Sequence, residues 1–162
     1  MIKAIYAGSF DPVTLGHLDI IKRASKISDK LVVAVLENPN KNCLFTIEER
    51  KKHLEIVTAD IENVEVATFK GLFADFAREI NANVAIRGLR NAVDFAYEQQ
   101  IQLINGRLND NIETIFLSAD EKHISLSSSA VKEVAVFGGN IDFMVPSEIV
   151  GFIEEKYMKR GV

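Results

Sequence analysis

Ala7-Gly8-Ser9-Phe10-Asp11-Pro12-Val13-Thr14-Leu15-Gly16-His17 lies between an apolar run, Ile2–Tyr6, and an amphipathic one, Leu18–Ile27. This order reads as a strand, a Gly/Pro turn and a helix whose first turn carries a histidine. A helix N-terminus presents unpaired N–H groups and the positive end of its dipole, a setting suited to phosphate. Gly8 and Gly16 allow close backbone approach to a ligand, and His17 adds a side-chain donor. A lone histidine here can also cap or pack, but the surrounding Gly-Ser-Phe-Asp-Pro turn favours a functional one. Ser9 can donate a hydroxyl or its N–H. Asp11 and Pro12 read as turn formers, and Thr14 can either cap the helix or touch phosphate.

Working outward, strand and helix alternate to the C-terminal end. Ile2–Tyr6, Leu31–Leu36, Val64–Phe69, Val84–Ile86 and Thr114–Leu117 are apolar runs of the kind covered on both faces of a sheet. Helices are expected at Leu18–Ile27, Ile47–Thr58, Leu72–Ile80, Ala92–Leu108, Ser128–Phe137 and Ser147–Met158. Thr46-Ile47-Glu48-Glu49 has capping-box spacing. Five strands alternating with helices predict an α/β fold with a doubly wound, five-stranded parallel sheet. Residues 1–162 read as a single domain, with the helices of about 128–158 packed on it; 162 residues suffice for one core.

The formal net charge of -4 argues against a non-specific nucleic-acid binder or an anionic-membrane binder, so phosphate binding must be local. Cys43 is the single cysteine, which excludes an intrachain disulfide. No signal-like segment is seen and no apolar run approaches ~18 residues, so the expected location is cytoplasmic and not a membrane.

In open α/β sheets, ligands sit beyond the carboxyl ends of the strands. The clusters Gly8–His17, Asn38–Asn42, Lys70–Phe73, Arg87–Asn91 and Ser118–Ser129 each follow a strand, so all five are expected to converge. Arg87 and Arg90 flank Gly88 and Leu89 after a short strand, and arginine forks match phosphate oxygens. Lys41 draws its weight from its position alone. Ser127, Ser128 and Ser129 begin a helix, where they can cap it or cradle a second phosphate. Asp94 and Glu98 share a helix face, which is usually a solvated arrangement. His17, His53 and His123 lack metal-ligand spacing, and neither a nucleophilic triad nor a glycine-rich phosphate-loop fingerprint is present. This inventory suits phosphoryl or nucleotidyl transfer, which relies on positioning and charge stabilisation.

Gly8-Ser9-Phe10-Asp11-Pro12-x-Thr14-x-Gly16-His17, Arg87-Gly88-Leu89-Arg90, Phe95-x-Tyr97-Glu98 and Ser127–Ser129 together resemble the bacterial phosphopantetheine adenylyltransferase family. It belongs to the nucleotidyltransferase superfamily with a (T/H)-x-G-H motif. The resemblance implies a Rossmann-like nucleotidyltransferase fold and in-line AMP transfer from ATP to 4'-phosphopantetheine, with no covalent intermediate. It further implies that His17 stabilises the transition state at the α-phosphate. ATP would be contacted by Ser9, Phe10, His17, Gly88, Leu89, Arg90, Glu98 and the segment His123, Ile124, Ser125, Leu126, Ser127, Ser128 and Ser129. The acceptor would be held by Lys41, Phe73 and Arg87. Mg²⁺ is expected mainly through the triphosphate, with no dedicated protein metal site. A homohexamer is implied as well, with Phe95, Tyr97 and Ile101 compatible with an interface.

Two stretches depart from the family pattern. Ala7 stands where proline is common, and His123-Ile124-Ser125-Leu126 differs from the usual aromatic-Ser-Phe-Ile. Competing readings are a relative that accepts nicotinamide mononucleotide or an alcohol phosphate, a non-catalytic ATP sensor, and an RNA-acting relative. The net negative charge weighs against the last.

Overall fold

Strand β1 (Lys3–Gly8) sends alternate side chains into two separate cores: Ala4 and Tyr6 into one, Ile5 and Ala7 into the other. β2 (Lys30–Glu37) does the same, with Leu31, Val33 and Val35 on the first side and Val32 and Ala34 on the second. Only a sheet covered on both faces needs such strands. The computed structural model describes residues 1–37 and 42–158.

The remaining strands are β3 (Val64–Lys70), β4 (Val84–Leu89) and β5 (Glu113–Ser118). All neighbouring pairs are parallel, in the order β3-β2-β1-β4-β5. The helices are α1 (Leu15–Lys26), α2 (Ile47–Val57), α3 (Phe73–Glu79), α4 (Ala92–Leu108), α5 (Ser128–Val136) and α6 (Ser147–Met158). Ile20, Ile21 and Ala24 of α1, Leu54 and Val57 of α2, Val131 of α5, and Ile149 and Ile153 of α6 fill the first core. Ala77 of α3 lies in the second, with Phe73 and Phe76 packed against it. Burying a side chain such as Ile21 or Leu54, each fully enclosed, contributes about 1.5–3 kcal/mol.

The expected alternation, strand count and parallel direction all hold. Three local readings change. Arg87, Gly88 and Leu89 belong to β4 rather than to a loop after it, because they pair with Phe116, Leu117 and Ser118 of β5. Helix α1 begins at Leu15, three residues before the amphipathic run, because Thr14 caps it. β3 is an edge strand whose Glu65 and Thr68 are not enclosed, unlike the fully covered strand expected there.

The strand order sets where a ligand can sit. β1 connects outward through α1 to β2 on one side, whereas β4 pairs with its other edge. The chain therefore reverses direction between β1 and β4, opening a crevice at their carboxyl ends.

Candidate active site

A cavity of about 260 Å³ occupies this crevice. Tyr6, Ala7 and Gly8 of β1 and Arg87 and Gly88 of β4 form its floor, while Gly16, His17 and Ile20 of α1 form one wall. Arg90, Asp94 and Glu98 stand opposite, and Ala119, His123, Leu126, Ser127 and Ser128 close it. Gly88 is closely packed: a Cβ there would lie 3.3 Å from Ile20 Cγ1, which would have to give by a few tenths of an ångström. Gly8 is likewise close to Phe10, whose ring would stand 3.1 Å from an added Cβ and would have to shift.

Thr14 and His17 form a reciprocal cap. The His17 N–H donates to Thr14 Oγ1 at 3.2 Å, and the Thr14 N–H donates to His17 Nδ1 at 3.0 Å. An Nδ1 that accepts from a backbone amide carries no proton, so in the neutral ring the proton sits on Nε2. Burial, reinforced by the Arg90 guanidinium, lowers the His17 pKa from 6.5 to about 4. His17 is therefore a neutral imidazole that offers a single N–H, and Thr14, which also lines the cavity, caps α1.

Because this pKa lies below the value of about 6.5 in an unfolded chain, the unfolded state takes up a proton first as the pH falls. The His17 contribution to stability is thus present above pH 6.5 and is lost between there and about pH 4. We expect ¹⁵N-histidine spectra to show a neutral Nε2–H ring at pH 5.5, and a midpoint near 6.5 for His17 would contradict this assignment.

The two arginines are held by carboxylates one or two helical turns along α4. Arg87 donates from Nε at 2.5 Å and from Nη2 at 2.7 Å to the two oxygens of Glu98, and from Nη1 to the Ala7 carbonyl at 3.2 Å. Arg90 Nε lies 3.0 Å from Asp94 Oδ2. Asp94 and Glu98 are thus arginine partners rather than a solvated pair. Burial pushes the Tyr6 hydroxyl far above its ordinary pKa, so it remains a neutral phenol beneath this group.

His17, Phe10, Arg87, Gly88, Arg90, Glu98, His123, Leu126, Ser127 and Ser128 thus meet around one cavity. Ser9, Leu89, Ile124, Ser125 and Ser129 lie outside its lining. Ser127 Oγ accepts the Ala130 N–H, and Ser128 Oγ donates to the Pro12 carbonyl, so both hydroxyls are engaged within the protein. Phe73 borders a separate small cavity that it shares with Arg87, Glu98, Ile101, Gln102 and Asn105. Lys41 lies outside the described residues. The expected convergence of all five strand ends therefore holds for β1, β4 and β5. It fails for Lys70–Leu72, because β3 is the far edge of the sheet and those residues border a different cavity.

Three residues escaped the reading of the sequence. Asp11, taken for a turn former, is buried; its Oδ2 accepts the Leu44 N–H at 2.8 Å, its Oδ1 accepts the Phe45 N–H at 2.9 Å, and Lys132 Nζ lies 3.1 Å from Oδ2. Arg50, also buried, donates from Nη1 to the Ser9 carbonyl at 2.8 Å. No local pattern announces partners so far away in sequence.

The cytidylyltransferase-like family model matches residues 5–134. A phosphopantetheine adenylyltransferase of Clostridium kluyveri is 51% identical over 159 residues, covering 98% of this chain and 97% of its own. One from Lachnoclostridium phytofermentans is 52% identical over 153 residues, covering 94% of each chain. This chain belongs to the phosphopantetheine adenylyltransferase family. The family is one of nucleotidyltransferase enzymes, and the fold agrees. A solved structure described as a putative nicotinate-nucleotide adenylyltransferase from Vibrio parahaemolyticus superposes with a TM-score of 0.70 at 16% identity, covering 99% of this chain and 94% of its own. At that identity the likeness concerns the fold alone. Within the family the (T/H)-x-G-H element falls on Thr14, Gly16 and His17, which are the cap and first turn of α1.

Proposed function

We propose that this chain transfers the adenylyl group of ATP to 4'-phosphopantetheine, giving dephospho-coenzyme A and pyrophosphate. The observation that carries this reading is the full-length identity above 50% to relatives of that name, joined to a cavity that pairs a neutral imidazole donor with two arginines.

The chemistry asks little of the protein beyond placement. An acceptor phosphate oxygen, already anionic near neutral pH since the second phosphate pKa is about 6, forms a bond to the α-phosphorus. The bond from that phosphorus to the bridging oxygen breaks, and pyrophosphate leaves with the electron pair. No general base is needed. The protein must hold two repelling anions in line and stabilise charge at the α-phosphate. His17 Nε2–H at the start of α1 serves as that donor, and Arg90 and the backbone of Gly88 hold the nucleotide phosphates. On the acceptor side Arg87 would take the phosphate through its remaining N–H groups, with Phe73 lining the path of the pantetheine arm. Lys41, after β2, would add a second cation there.

Mg²⁺ fits as a passenger on the triphosphate. The carboxylates lining the cavity, Asp94 and Glu98, are each committed to an arginine, so the donor set favours a magnesium ion held through phosphate oxygens and water. When bound it would offset the triphosphate charge. We also read the chain as a homohexamer: Val93, Tyr97, Leu103 and Ile104 leave apolar surface exposed along α4. We read the enzyme as cytoplasmic, where ATP is available to it.

ATP and 4'-phosphopantetheine should be consumed one for one with release of pyrophosphate, as followed by mass analysis of the nucleotide product. ATP binding without formation of dephospho-coenzyme A would favour the sensor reading.

A further inference from the structure

We propose that Asp11 is a positioning residue for His17: together with Lys132 and Arg50 it clamps the Ser9–Asp11 turn in a strained form that holds the Phe10 ring against the imidazole. The proposal rests on His17 acting in the reaction described above.

Phe10 has φ +47°, in the left-handed region that a residue with a Cβ adopts only at an energetic cost. Such a conformation persists only where its surroundings over-determine it. Its purpose is visible in the packing. The Phe10 ring meets His17 edge-on with centroids 5.1 Å apart, meets Tyr6 at 5.4 Å, and fills the space over Gly8. An imidazole so backed cannot swing away from its bond to the Thr14 N–H.

What holds the strain lies on either side of Phe10. Before it, the Ser9 carbonyl is fixed by the buried Arg50 guanidinium. After it, both Asp11 oxygens accept hydrogen bonds, from the Leu44 and Phe45 amides and from Lys132 on α5. Asp11 does not border the cavity, and its carboxylate is taken up by three donors of the protein itself. Every partner of its carboxylate is a donor. An asparagine of the same shape must therefore point its NH₂ either at the Phe45 N–H or at the Leu44 N–H and the Lys132 ammonium. Opposed donors in a buried place are unfavourable whichever way the amide turns.

The test is Asp11→Asn, with kcat expressed per ATP-binding site by calorimetric titration, alongside ¹⁵N-histidine spectra of the free protein. The clamp predicts that kcat per site falls about 10- to 100-fold, with KM for ATP within about twofold, because the nucleotide contacts remain. It also predicts that the single Nε2–H tautomer of His17 gives way to a mixture. Should Asp11→Asn not fold, Lys132→Met, which removes one of the three partners, is read on the same two measurements, with a smaller change and with recovery in Lys132→Arg. An unchanged tautomer, or an unchanged kcat per site, would overturn the clamp. If the wild type turned over no 4'-phosphopantetheine, the proposed function would fail instead, and the tautomer measurement would still judge the clamp.

Discussion

Replacing His17 by alanine lowers kcat by about 10²- to 10³-fold, the usual cost of removing one preorganised donor at a centre of developing charge. The fold survives, because the other half of the α1 cap remains: the residue-17 N–H still donates to Thr14 Oγ1. What the alanine loses structurally is the bond from the Thr14 N–H to Nδ1, worth about 1 kcal/mol at a helix start. KM for ATP should change little if the imidazole acts mainly on the transition state. Steady-state kinetics of the variant, together with its circular dichroism, checks both halves of this expectation. A near-normal kcat in a folded His17→Ala protein would show that the imidazole is not the principal electrostatic group. An activity limb near pH 6 should persist in wild type for another reason, the protonation of the acceptor phosphate, since His17 is already neutral there.

Arg87→Ala should act on the other substrate. Arg87 and Glu98 are largely enclosed, with side-chain exposures of 25% and 14%, and they share two parallel hydrogen bonds. Removing the guanidinium takes away the proposed clamp on the acceptor phosphate and leaves the Glu98 carboxylate facing that phosphate without a counter-ion. We expect KM for 4'-phosphopantetheine to rise about 100-fold, in line with a loss of 2–5 kcal/mol on truncating one member of such a pair. KM for ATP should move far less. A parallel rise in both constants would mean that Arg87 serves the nucleotide side or the fold as a whole. Glu98→Gln should be milder on the acceptor, because the guanidinium remains and keeps its bond to the Ala7 carbonyl.

The architecture was legible because its signals are local. Alternating apolar runs and helical periods, with Thr46 and Glu49 at capping-box spacing, place five strands and six helices, and the structure shows that cap as expected. The first motif was legible as a strand, a turn and a helix start because glycine and proline punctuate it, and the structure shows those elements. Thr14 stayed ambiguous in the sequence, since a threonine at a helix start can cap or bind with equal ease; the structure shows the cap, through two bonds with His17.

Arg87–Leu89 were read as a loop because Gly88 interrupts a short apolar run. Strand identity there comes from pairing with β5, some thirty residues on, which no local window contains. The same blindness hid Asp11. An Asp-Pro pair reads as a turn, and it is one, but its carboxylate is claimed by amides 33 and 34 residues away and by a lysine 121 residues away. Likewise the serine run was legible as a helix start, whereas the commitment of the Ser128 hydroxyl to the Pro12 carbonyl depends on α5 lying across the turn. The strand ends were expected to meet at one place. Strand order decides which do, and the order in space is not written in the order along the chain.

The identity of the acceptor is decided by pyrophosphate release from ATP with 4'-phosphopantetheine, nicotinamide mononucleotide and an alcohol phosphate supplied in parallel. Turnover with 4'-phosphopantetheine is expected at a kcat/KM at least about 10³-fold above the others, because that acceptor offers Arg87 a phosphate and Phe73 an arm to line. Turnover with nicotinamide mononucleotide and none with 4'-phosphopantetheine would contradict it.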